Sequence, residues 1–253
     1  MSVRGLAASE LTKARTLRAM PILAAVAVLA TWPMAWTNAA SGADIPVDDP
    51  RLFSSVPIPT EYQGFEMAGF GYVLIVALGA LWAGGEYGAG RQIRSTLLAS
   101  PRRVPVFVVS AALLAVVTAV VASLTMWGAI VITHASSGGD VDPWRLTPAI
   151  WAHLGGVTLA WVLTALMAFA IGSLARTAIL PLILLLPLVV GIGDLLAGAW
   201  AGARFLPVTA GAAMYSDPAA GAYLPPVVGG LVQAAWAVVL LGVALVVFAR
   251  RDA

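Results

Sequence analysis

Cysteine is absent from the 253 residues, and the chain has a single lysine, Lys13, and two histidines, His134 and His153. The missing cysteine excludes a disulfide framework, a thiolate metal centre and a cysteine nucleophile. A Walker A loop, Gly-x4-Gly-Lys-[Ser/Thr], needs a lysine after a glycine-rich approach, and nothing of that kind leads up to Lys13. No ATP site is therefore expected in this chain. Neither histidine has a carboxylate or second histidine at ligand spacing, so no metal or other cofactor is expected on it. Charge is also scarce: 10% of residues are charged and 60% hydrophobic, with a mean hydropathy of +0.93. Soluble domains carry about 25% charged residues. Charge this sparse cannot cover a soluble surface, so the expected solvent is lipid. The net charge of +2 forms no dense basic run with interleaved aromatics, which argues against nucleic acid.

What is present is a series of long charge-free runs at 19–43, 67–85, 104–139, 146–175, 177–193 and 218–249. A helix needs roughly 17 to 25 mostly apolar residues to cross a hydrocarbon core, and each run reaches that range. Six transmembrane helices are expected, at about 20–37, 67–84, 104–133, 148–174, 177–200 and 227–249, within a single transmembrane domain over 1–253. No period-2 alternation runs through them, which argues against an outer-membrane barrel.

Orientation follows from the basic residues in the connections, because Lys and Arg are retained on the cytoplasmic side. Eleven of the fourteen cations fall on the side holding the N-terminus, the 85–103 loop, the turn at Arg176 and the C-terminus. That side has three acids and a net charge of +8; the other has Arg51, Arg145 and Arg204 with nine acids, a net of −6. The expected protein is a multi-pass protein of the cell inner membrane with both termini cytoplasmic. A secretory signal peptide is the competing reading of the N-terminus, since Arg18, the apolar run to Trp36 and the small residues 39–41 imitate its three regions.

Between the spans, Ser9 is expected to cap a helix with Glu10 in its first turn. Leu11, Ala14, Leu17 and Met20 then recur while Lys13, Arg15 and Arg18 point elsewhere, which describes an amphipathic interfacial helix over 8–19. The stretch from Gly85 to Arg103 reads as turn, helix, stop. Three glycines allow a reversal, Ile93 and Leu97 form an i,i+4 pair, Arg91 and Arg94 share a polar face, and Pro101 ends the helix. Such a helix suits docking on a soluble subunit; an inert basic loop is the plainer reading. The segment 38–66, with its prolines and aspartates, reads as an irregular loop. Residues 201–226 suit short half-inserted helices, with Trp200, Tyr215 and Tyr223 as interfacial anchors.

The span interiors are expected to be nearly empty of charge, with Asp194 as the one candidate for a buried carboxylate. Pro181 and Pro187 should kink the fifth helix or line a cavity. Gly69-x-Gly71, Gly155-Gly156 and Gly191-x-Gly193 allow close helix approach. Phe70, Tyr72, Trp161 and Phe169 suit an amphipathic cargo, although aromatics of this kind also serve as packing.

In this order and spacing the chain resembles the six-span permease subunits of type-2 ABC exporters of the actinobacterial kind. Four stretches carry the resemblance over nearly the whole length: Ser9 to Arg18, Glu86 to Arg103, Phe205-Leu206-Pro207, and Phe248 to Ala253. They look like the family's cytoplasmic connecting helix, coupling segment, re-entrant element and C-terminal ending. Arg91 departs from the pattern, because relatives often have threonine there. The resemblance implies a translocation pathway formed by two permease subunits, as a homodimer or heterodimer in the lipid bilayer, each coupled to a separate ATP-binding cassette subunit that holds ATP and Mg. Glu86, Tyr87, Arg91, Ile93, Arg94, Leu97 and Leu98 would meet that subunit, Glu86 through its charge with the connecting helix as its alternative partner, and Lys13, Arg15 and Arg18 would belong to the connecting helix. A non-transporting scaffold or sensor component, an ion-coupled secondary carrier and a membrane enzyme remain as other readings of the same hydropathy.

Overall fold

A computed structural model describes residues 3–42, 58–87, 98, 102–137, 142–218 and 224–250. Helix is the only regular structure among them. After α1 (Val3–Thr16) and α2 (Ala19–Gly42), short 3₁₀ turns at Thr60–Tyr62 and Phe65–Met67 lead into α3 (Ala68–Gly84) and a further turn at Gly85–Tyr87. Then come α4 (Arg103–Ser136), α5 (Pro148–Ala175), α6 (Ile179–Pro187), a π-helical turn at Leu188–Ile192 and α7 (Gly193–Ala199). A 3₁₀ turn at Ala201–Phe205, α8 (Pro207–Ala212) and α9 (Pro226–Arg250) complete the order. Six of the helical stretches are long and apolar enough to cross a membrane. The protein is a multi-pass helical membrane protein.

Helix α5 is central, packing against α3, α4 and α9, while α2 lies on α3 and α4. Local chemistry sets its ends. Pro148 occupies its first turn, where a missing N–H costs nothing, and Thr147 accepts a hydrogen bond from the Ile150 amide. At the other end Arg176 adopts a left-handed conformation (φ 54°) and Thr177 N–H returns to the Gly172 carbonyl at 3.2 Å, closing the helix for a reversal into α6.

Several expectations need correction. Helix α1 begins at Val3, so Ser9 is interior and caps nothing; Leu6, 3% exposed, extends the buried face backwards. Helix α2 runs on to Gly42 through Pro33. Residues 60–67, expected as solvated loop, fold onto the bundle and bury Phe65 and Met67. Both histidines hold this stretch: His134 Nε2 lies 3.3 Å from the Thr60 carbonyl, and His153 Nδ1 lies 3.1 Å from that of Glu61, with its ring stacked on Tyr62.

The fifth span is broken. Pro181 sits in the first turn of α6, where no intrahelical bond is lost, and causes no kink there. The break follows Pro187, in the π-helical turn, where Gly191 takes φ 111°, a conformation that favours glycine. Beyond it Asp194 is exposed on α7 and is not a buried carboxylate; the buried neighbour is Gly193, closed against Thr209. Phe70 is 47% exposed and stands outside the buried core. Tyr215 is buried instead of serving as an interfacial anchor.

Candidate functional site

Two polar clusters interrupt the apolar packing. The first lies at the end of the bundle that carries α1 and the α5–α6 turn, here called the basic end. Leu6 and Glu10, one helical turn apart, turn inward on α1, and Glu10 is only 4% exposed. Lys13, expected beside Arg15 and Arg18 on the outward face, turns in as well. Its ammonium lies 2.6 Å from Glu10 Oε1 and 3.0 Å from Glu86 Oε1, while Arg15 and Arg18 stay exposed. Burial works against the Lys13 charge and is the largest single influence on it. The two carboxylates together outweigh that cost and hold its pKa above the ordinary value. Beside this ion pair, Tyr87 takes the Arg176 guanidinium over its ring at 5.8 Å, tying the end of α3 to the α5–α6 turn.

Glu10 and Glu86 also border a narrow cavity of about 20 Å³, shared with Ser110 and the ring cluster Phe107, Phe169 and Phe248. A water needs roughly 10–15 Å³ measured in this way, so one water fits. Glu86 Oε2 is buried without a hydrogen-bond partner, and a bound water is the natural means of satisfying it. Ser110 accepts from Trp82 Nε1 at 3.0 Å, so this rim also links α3 to α4.

The second cluster is deep in the bundle. Gln233 on α9 is fully buried, and its Nε2 donates to the Ala160 carbonyl at 3.1 Å and to Thr164 Oγ1 at 2.9 Å, with Tyr72 Oη at 3.4 Å. The Ala160 carbonyl only accepts, which fixes the nitrogen end of the amide toward it. Tyr72 Oη in turn lies 2.7 Å from Thr164 Oγ1, and the tyrosine ring stacks on Trp161 at 5.7 Å. Three spans, α3, α5 and α9, are thus joined by uncharged groups. The Gln233 Oε1 has no hydrogen-bond partner and packs against Gly211 of α8, where a Cβ would overlap the amide.

Of the residues named from the sequence, Lys13 and Glu86 come together and Tyr87 stands beside them. Arg91, Ile93, Arg94 and Leu97 lie outside the described residues; Leu98 is helical and 87% exposed. Tyr72, Trp161 and Phe169 are buried packing residues, and of the three Phe169 borders the narrow cavity. Gln233 was missed because an amide does not interrupt a charge-free run. A usable signal existed: Gly229, Gln233 and Ala237, all buried, form an i,i+4,i+8 stripe on which glutamine is the only strongly polar member. Each glycine pair holds one member in close packing, Gly71 on Trp161, Gly156 on Met214 and Gly193 on Thr209.

No protein-family model matches the chain, and no curated protein matches its sequence.

Proposed function

We propose that this chain is the membrane-spanning permease subunit of an ATP-driven exporter of the type-2 ABC class. In this reading it works as a dimer, with itself or with a second permease, and ATP and Mg are held by a separate ATP-binding cassette subunit. The basic end faces the cytoplasm of a cell inner-membrane protein, and residues 201–212 serve as a re-entrant element on the opposite side.

The observation that carries the reading is the Lys13–Glu86 ion pair, 3.0 Å long between residues 73 positions apart. Glu86 stands where α3 enters the 85–103 stretch, so a displacement of that stretch by a docked ATPase is passed to α1 through a direct charge contact. The Tyr87–Arg176 contact passes it to the α5–α6 turn. Rigid helices moved at one end in this way suit a hinge or shear transition between inward and outward access.

The test is co-purification of the tagged chain with the ATP-binding protein encoded beside it, followed by ATPase assay of the wild type and of a variant with residues 86–94 scrambled. A stable complex whose assembly or regulated ATPase is lost on scrambling is the expected result. A chain that purifies alone and leaves ATPase activity unchanged overturns the reading in favour of a scaffold.

A further inference from the structure

Two described arginines lie at the end of the bundle opposite α1, and their surroundings differ. Arg145 Nε is 3.6 Å from Asp142 Oδ2. Arg204 faces no carboxylate among the described residues; its guanidinium stands over the Phe205 ring, 5.2 Å from the centroid. A guanidinium over a ring leaves its in-plane N–H groups open to an acceptor.

The turn that carries Arg204 is edged by large exposed rings. Trp200 folds over Gly202 and is 66% exposed; Phe205 and Trp236 are each 43% exposed. Trp236 Nε1 donates to the Phe205 carbonyl at 3.0 Å, fastening the turn to the side of α9. Trp236 is ten residues into that helix from Pro226, about 15 Å along the axis, so the turn lies well below the end of a membrane-spanning helix. An arginine on a lipid-facing surface at such depth is costly unless it reaches the headgroup layer and finds an anionic acceptor.

We propose that Arg204, with Trp200, Phe205 and Trp236, forms a binding site for the headgroup of an anionic phospholipid. The guanidinium donates two parallel N–H bonds to phosphate oxygens, and the exposed rings below the headgroup pack against its acyl chains. A guanidinium with no carboxylate partner among the described residues favours an anion, and the exposed rings favour one that carries hydrocarbon. This inference rests on the membrane reading of the six helices and is independent of coupling to an ATPase.

The test is native mass spectrometry of the full chain released from mixed micelles containing phosphatidylglycerol or phosphatidylcholine. The wild type is expected to retain phosphatidylglycerol preferentially. Arg204→Ala should weaken that retention about fivefold, the effect of one basic residue at a membrane surface. Arg204→Lys should lie between them, because it keeps the charge and loses the fork; it also serves as the folded control. Millimolar inorganic phosphate should not displace the lipid. Equal retention of phosphatidylglycerol by wild type and Arg204→Ala, equal retention of the two lipids by the wild type, or displacement by inorganic phosphate would each overturn the proposal, the last by identifying a free-anion site.

Discussion

Gln233 donates to Thr164 Oγ1 at 2.9 Å, joining an amide on α9 to a hydroxyl on α5 that also meets Tyr72 of α3. Such bonds inside a membrane protein contribute modestly, about 0.6 kcal/mol on average and up to about 1.7, because the unfolded helices in lipid also find partners. In a double-mutant cycle of Gln233→Leu and Thr164→Val, thermal unfolding in detergent should show a coupling of that size. Gln233→Ala should cost more, about 2 kcal/mol or above, since it also leaves a cavity. Strict additivity of the two substitutions would remove the bond from the account of stability.

The Lys13 ammonium makes a different kind of link, and its pH dependence has a definite sign. Its pKa is raised above the ordinary value of 10.5, so the stabilisation is complete below that value in the unfolded chain and is lost as pH climbs through the folded pKa. A spin label attached at Ala8→Cys, on the exposed face of α1, reports the docking of this helix in a chain with no other cysteine. The label's mobility should stay constant from about pH 6 to 9 and rise only above pH 10.5. In a Lys13→Ala background it should be high throughout. A step in mobility well below pH 9 would show that another group controls docking.

Trp32 and Gly128 form a lock between α2 and α4. The indole donates to the Thr125 carbonyl at 3.2 Å and lies so close to Gly128 that a Cβ there would overlap the ring. Gly128→Ala should therefore displace the indole and cost about 1–3 kcal/mol, the usual range for overpacking. In a Trp32→Ala background the same substitution should be nearly neutral. Equal costs in both backgrounds, measured by thermal unfolding, would mean that the glycine is needed for some reason other than Trp32.

The parts of the fold legible in the sequence are those governed by solvent. Lipid tolerates almost no charge, so gaps between Arg, Lys, Asp and Glu locate the six spans. Four of them, 68–84, 103–136, 148–175 and 226–250, lie within three residues of their expected limits. The turn at Arg176 was equally readable. Where the backbone leaves ordinary helix, pattern reading was less certain: Pro181 and Pro187 both look like breakers, and only position within a turn separates the one that begins a helix from the one beside its break.

Contacts between distant residues were not legible in spacing, although the family resemblance offered the connecting helix as one partner for Glu86. Nothing in the spacing of Lys13 and Glu86 brings them together; the packing of α1 against the base of α4 does so. Lys13 turns inward against the charge pattern of its helix because two carboxylates offset the cost of its burial. Gln233, an apparent blemish in an apolar run, becomes the donor at the centre of three helices only because Ala160 and Thr164 present acceptors one helical turn apart on α5. By itself the sequence determined the solvent, the number of spans and the asymmetry of charge between the two ends, since each depends on composition along the chain. Tertiary structure alone decided which polar groups meet, because hydrogen bonds and ion pairs depend on distances that helix packing sets.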